Sequence, residues 1–193
     1  FMIAAHLLDR AIMPAILQRF GAQAMEELAI EEWRGASPVY TERIRKAMKI
    51  EGNDVAAIFK SLQMDPGFPH QYMDVHYEVV DEKKGSFWLD YCGALADVEP
   101  WGEARVVSMC HHIEDPTFDA TMQAVNPKAK CRPVHRPPRD PKDRKPVCHW
   151  EVTIDDDAEP AEEAPITKIT RLSTAATFEF PPVRKRAGKG KGA

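Results

Sequence analysis

The sequence contains no run of about 18 apolar residues, so no segment reads as a membrane-crossing helix. Cysteine is scarce. Four residues, Cys92, Cys110, Cys131 and Cys148, in a 193-residue chain point to free thiols, metal ligands or a nucleophile ahead of a disulfide scaffold, although the even count leaves disulfide pairing open. Glycine is outnumbered by proline, ten to sixteen, and no G-x-S-x-G, G-x-G-x-x-G or P-loop pattern occurs. Nucleophile-elbow hydrolases, dinucleotide-binding folds and P-loop nucleotidases therefore lack their signatures. Charge of one sign is not in excess either. A net charge of −4 argues against a chain built globally to hold nucleic acid.

What is present is a hydrophobic periodicity that changes partway along. Ile3, Leu7, Leu8, Ala11, Ile12, Ala15 and Ile16 recur at helical spacing, predicting a helix over residues 3–20 with a stop at Gly21. His6, Asp9, Arg10, Gln18 and Arg19 interrupt this stretch, so it reads as a core helix of a cytoplasmic protein, not a signal peptide. A second helix is expected over 22–34, ended by Gly35. A third follows, with Ser37 as N-cap and Pro38 at its first position. A short helix over 54–63 is expected after a cap at Asn53.

The period then switches to two. Met73, Val75, Tyr77 and Val79 alternate with Asp74, His76 and Glu78, which predicts a half-buried strand. Residues 81–85 form a turn and 86–92 the returning strand. A helix is expected from Pro100 to about His112, and two further strands over 128–135 and 147–154, with a proline-rich loop between them. From Asp155 an acidic linker leads to a tail with a basic end, Arg184 to Lys191. The expected fold is α+β: N-terminal helices packed on a small antiparallel sheet in a domain of residues 1–154, with a linker and extended tail over 155–193.

Thiols and imidazoles crowd one stretch. Cys110, His111, His112, Asp115, Cys131, His135, Cys148 and His149 fall within forty residues, and Cys92 precedes them. Thiolate and imidazole are the ligands of zinc and of iron–sulfur clusters, which makes Cys92, Cys110, Cys131, His135 and Cys148 a candidate metal set. The separations of 18, 21 and 17 residues contain no C-x-x-C pair. The same residues also fit a nucleophilic thiol, with Cys110 as nucleophile, His111 or His112 handling protons and Asp115 orienting one of them. Buried, inert cysteines fit as well.

The order of these features carries a resemblance. A strand ending in Phe87-Trp88-Leu89-Asp90-Tyr91-Cys92 is followed by Met109-Cys110 with Asp115, then Ala124-Val125-Asn126-Pro127, then Lys130-Cys131-Arg132. Over residues 5–135 this resembles the L-2-amino-thiazoline-4-carboxylic acid hydrolase family. Ala129-Lys130 stands where that family tends to show glycine-aspartate. The resemblance implies a small α+β hydrolase that opens a carbon–nitrogen bond of a thiazoline ring, with Cys92, Cys110, Asp115, Asn126 and Cys131 as inherited site residues. The first expectation is thus a hydrolase-like domain acting on a small heterocyclic or amide substrate through a Cys/His site, with or without a metal. The second is a non-catalytic metal-binding or structural subunit whose tail docks on a larger enzyme. The expected partners are a small-molecule substrate or that larger subunit, in an oligomer, with no membrane and no nucleic acid.

Overall fold

A computed structural model of the chain describes residues 3–181. The basic stretch Arg184 to Lys191 lies outside them. Helix α1 runs Ala4–Met48 and is bent at Gly21, whose φ of 89° and ψ of 175° are not helical. Glycine adopts this backbone without a Cβ penalty. The expected stop at residue 21 is therefore a hinge. The two arms fold back on each other, and Met13 of the first packs with Met25 and Ala29 of the second.

The expected boundary at Gly35 and Ser37 is absent, and α1 continues through Pro38. Gly35 marks a close contact: a Cβ there would sit 3.1 Å from Ile166 Cγ1. Ser37 is no cap, since its Oγ pairs with Tyr40 Oη at 2.8 Å. Sequence punctuation here serves tertiary packing, which overrides local preference. Helix α2 spans Val55–Leu62 and is capped by Asp54, one residue after the expected Asn53; its carboxylate accepts from Ala57 N.

Strands β1 (Met73–Val79), β2 (Lys84–Cys92), β3 (Ala129–His135) and β4 (Cys148–Ile154) form one antiparallel sheet in the order β1-β2-β4-β3. Alternation decides which side chains turn inward. Phe87, Leu89, Trp150 and Val152 enter the core with Ile58 and Phe59 of α2, while His76, Trp88, His149 and Glu151 take the opposite face. The structure is α+β, with helices covering one face of the sheet.

The segment between β2 and β3 is more broken than the expected single helix. It contains α3 (Gly93–Val98), a 3-10 turn (Glu99–Trp101), α4 (Glu103–Val107), a π-turn (Ser108–Ile113) and α5 (Glu114–Gln123). After β4 the chain runs extended and then forms α6 (Pro165–Arg171) and α7 (Thr174–Thr177). These helices dock on the chain's own α1. Thr167 Oγ1 donates to the Arg34 carbonyl at 2.8 Å, and Arg171 grips Glu42 with two 2.6 Å bonds. Arg43 donates to the carbonyls of Ala176 and Phe178 at 2.6 Å. No helix among the described residues is long and apolar enough to cross a membrane.

Candidate functional site

A cavity of about 120 Å³ lies between α1, the 108–121 helical segment and the inner face of the sheet. It is somewhat smaller than the apolar cavity of about 150 Å³ that holds a benzene molecule, which limits any occupant to about one small ring. Sulfur lines one side. Cys92, Cys110 and Cys148, from three separate elements, all face the cavity. They arrive there for different reasons: β2 ends at Cys92, the π-turn presents Cys110, and inward alternation on β4 starts at Cys148.

Their surroundings keep these thiols protonated. Burial pushes Cys92 up to about 12, and its Sγ accepts the N–H of Leu95 at 3.3 Å, capping α3. Burial, reinforced by nearby Glu114, raises Cys110 well above the ordinary thiol range. Burial raises Cys148 as well. A nucleophilic thiol needs the opposite influence, an adjacent imidazolium or a helix N-terminus.

The two histidines expected to provide it turn elsewhere. His111 Nε2 donates to the Pro137 carbonyl at 2.7 Å, and His112 Nδ1 meets Glu26 Oε2 at 3.0 Å. Asp115 pairs with Arg136 rather than with a histidine. Of the five expected metal ligands, Cys131 and His135 are off the cavity. Cys131 pairs with Val152, four positions along β4 from Cys148, or about 13 Å at the rise of a strand. A bulge between Pro133 and His135 places His135 beside His149 on the outer face, ring centroids 6.2 Å apart. The five do not form a chelating group. Among the described residues, the only three donor atoms from such side chains within 4.8 Å of one another belong to Asp74, His76 and Asp90. Asn126 also lies away from the cavity lining. Its side chain fastens the 126–128 turn to the Asn53 carbonyl at 2.9 Å. All four cysteines are free.

The cavity instead gathers groups whose ionisation is displaced toward neutrality. Burial and neighbouring Glu32 push Asp9 up to about 7. Glu32 comes from the second arm of α1, so the bend at Gly21 creates this pair. Burial, then Asp115, pushes Glu114 up to about 7, partly opposed by Arg136. Burial raises Asp65 to about 7 although the Gly67 N–H donates to it at 2.7 Å. Arg105 also lines the cavity, its pKa lowered by burial and then by Arg10; its side chain donates to Ser108 Oγ at 3.2 Å.

His6 completes the polar end. Its Nε2 bonds the Gly67 carbonyl at 3.1 Å, which requires the proton on Nε2 and leaves Nδ1 as a lone-pair acceptor. Burial lowers its pKa and keeps the ring neutral. Nδ1 of His6 and Oδ1 of Asp9 are buried without a hydrogen-bond partner, and each residue is only 7% exposed. Buried polar atoms are ordinarily satisfied, so two such orphans on residues that line one cavity are exceptional.

Of these polar groups, His6 and Asp9 sit in a helix that reads as apolar core, and nothing in their spacing tells them from surface residues. Glu114 was more accessible to sequence reasoning, because it lies one turn after Cys110 and so shares its helix face. Comparison with protein-family models, with curated proteins and with solved structures finds no match for this chain.

Proposed function

We propose that the chain is a hydrolase that opens a carbon–nitrogen bond of a small heterocyclic or amide substrate inside this cavity. The observation that carries the reading is that two carboxyl groups, Asp9 and Glu114, both displaced to about 7, line one small cavity. At neutral pH such groups exist in both forms, so one serves as base while the other serves as acid.

A neighbouring carboxylate favours the protonated form of each group, Asp115 at Glu114 and Glu32 at Asp9, and an arginine opposes it more weakly, Arg136 and Arg10. In this reading Glu114 is the base. It takes a proton from water as the water oxygen bonds to the amidine-like or carbonyl carbon. The carbon–nitrogen bond then breaks, its electron pair leaves on nitrogen, and Asp9 supplies the proton that nitrogen needs. Proton exchange with solvent restores both groups. His6 Nδ1 accepts a hydrogen bond from a substrate N–H, and Arg105 faces any anionic substituent. Cys110 stays a neutral thiol in the wall.

The test is ring opening by the full chain, followed by mass spectrometry, on cyclic amidines and lactams that include L-2-amino-thiazoline-4-carboxylate. Glu114→Gln and Asp9→Asn are each expected to lose about 10²- to 10⁴-fold in turnover, the usual worth of a positioned acid or base. Cys110→Ser is expected to lose no more than about tenfold by the same reasoning. An inactive Cys110→Ser beside an active Glu114→Gln would restore the thiol as nucleophile and overturn the carboxyl mechanism.

A further inference from the structure

On the other side of the sheet, far from the cavity's chemistry, we propose a divalent transition-metal site formed by Asp74, His76 and Asp90, with zinc as its best-fitting ion. It does not depend on the hydrolase reading. Asp74 and His76 are two apart on β1 and share the outer face. Asp90 joins them because of an irregularity: Asp74 pairs with Tyr91 and Val75 with Leu89, so Asp90 is the extra residue of a β-bulge. Bulges re-aim side chains in this way.

The distances are compatible with a coordination shell. His76 Nε2 stands 3.5 Å from Asp74 Oδ1 and 3.5 Å from Asp90 Oδ2, and hydrogen-bonds neither. Two ligands at about 2.1 Å from a tetrahedral ion lie about 3.4 Å apart. One imidazole and two carboxylates also match zinc in softness, and the carboxylates balance its charge. All three groups reach solvent, leaving a position for water.

Neighbours hold this geometry. The His76 ring stacks on Trp88 at 5.6 Å with 12° between planes, and Trp88 meets the His149 ring edge-on at 5.9 Å. The row fixes the imidazole before any ion arrives, as supporting side chains do at metal centres. Lys145 Nζ bonds the Asp90 carbonyl at 2.5 Å and anchors the bulge from the 136–147 loop. Asp90 is two residues from Cys92, so an ion here clamps the strand end that borders the cavity.

The test titrates the full chain with Zn²⁺ by calorimetry and with Ni²⁺ by tryptophan emission. The wild type is expected to bind one Zn²⁺ at this face. His76→Ala and Asp90→Asn, which leave every thiol in place, are expected to weaken that binding at least about tenfold. Ni²⁺ is expected to quench emission in the wild type, and Trp88→Phe to remove that quenching. His76→Gln serves if the alanine variant misfolds. Equal Zn²⁺ affinity in the wild type and both ligand variants, or binding at millimolar metal only, overturns the proposal.

Discussion

The sheet half of the molecule and the first arm of α1 bury residues by different rules. At the centre of the sheet alternation sets what turns inward, and what it buries is hydrocarbon: Phe87, Trp150 and Val152 are almost inaccessible. The first arm does the reverse. Most of its large apolar side chains stay outside, with Leu7 at 62% and Phe20 at 68% exposure, while His6 and Asp9 are buried alongside Met13. The sheet supplies a rigid wall whose energy comes from packing. The arm covers that wall with polar groups withheld from water, and their displaced ionisation follows from that burial.

The comparison breaks most visibly at Phe87. Phe87→Ala should destabilise by about 3–5 kcal/mol in denaturant unfolding, as a large aromatic removed from a packed core. A loss below about 1 kcal/mol would mean the sheet core is loosely packed. Gly85→Ala should come next, at about 1–3 kcal/mol, because the new methyl would lie 2.7 Å from the Glu78 carbonyl oxygen and from Val55.

Asp65 sharpens the contrast through pH. Its folded pKa is raised from 3.8 to about 7, so between those values the folded state holds the proton more tightly than the unfolded chain. Its contribution to stability therefore declines as pH rises through that window. Asp65→Asn should flatten this part of the stability profile, read as thermal midpoints from pH 4 to 8. A profile unchanged from wild type would contradict burial of a titrating carboxyl.

Smaller effects belong to the periphery. Arg171→Ala breaks exposed pairs with Glu42 and Glu163 and should cost less than about 1 kcal/mol globally, while speeding proteolysis after residue 164. Leu7→Ser should change stability least, by under about 0.5 kcal/mol, because its side chain is already in water.

Period-two alternation made the hairpin and the two later strands legible, since a half-buried strand writes its faces into the sequence. Helix ends were harder. Gly35 and Ser37-Pro38 have the chemistry of a break, but their roles are set by Ile166, distant in sequence, and by Tyr40, one helical turn away. The convergence of Cys92, Cys110 and Cys148 agrees with the crowding of thiols. The displacement of Cys131 depends on strand register, which the residues alone do not specify. The carboxyl groups were the least visible part, because burial gives them their chemistry, and at Asp9 the fold-back at Gly21 adds Glu32 as a neighbour.

Carbon NMR of side-chain-labelled protein measures directly whether the cavity carboxyls are held near neutrality. The carboxyl resonances of Asp9 and Glu114, assigned by Asp9→Asn and Glu114→Gln, are predicted to titrate with midpoints near 7. Midpoints at the ordinary value near 4 would contradict the proposed mechanism, since both groups would then be fully ionised at neutral pH with no acid left to protonate a leaving nitrogen.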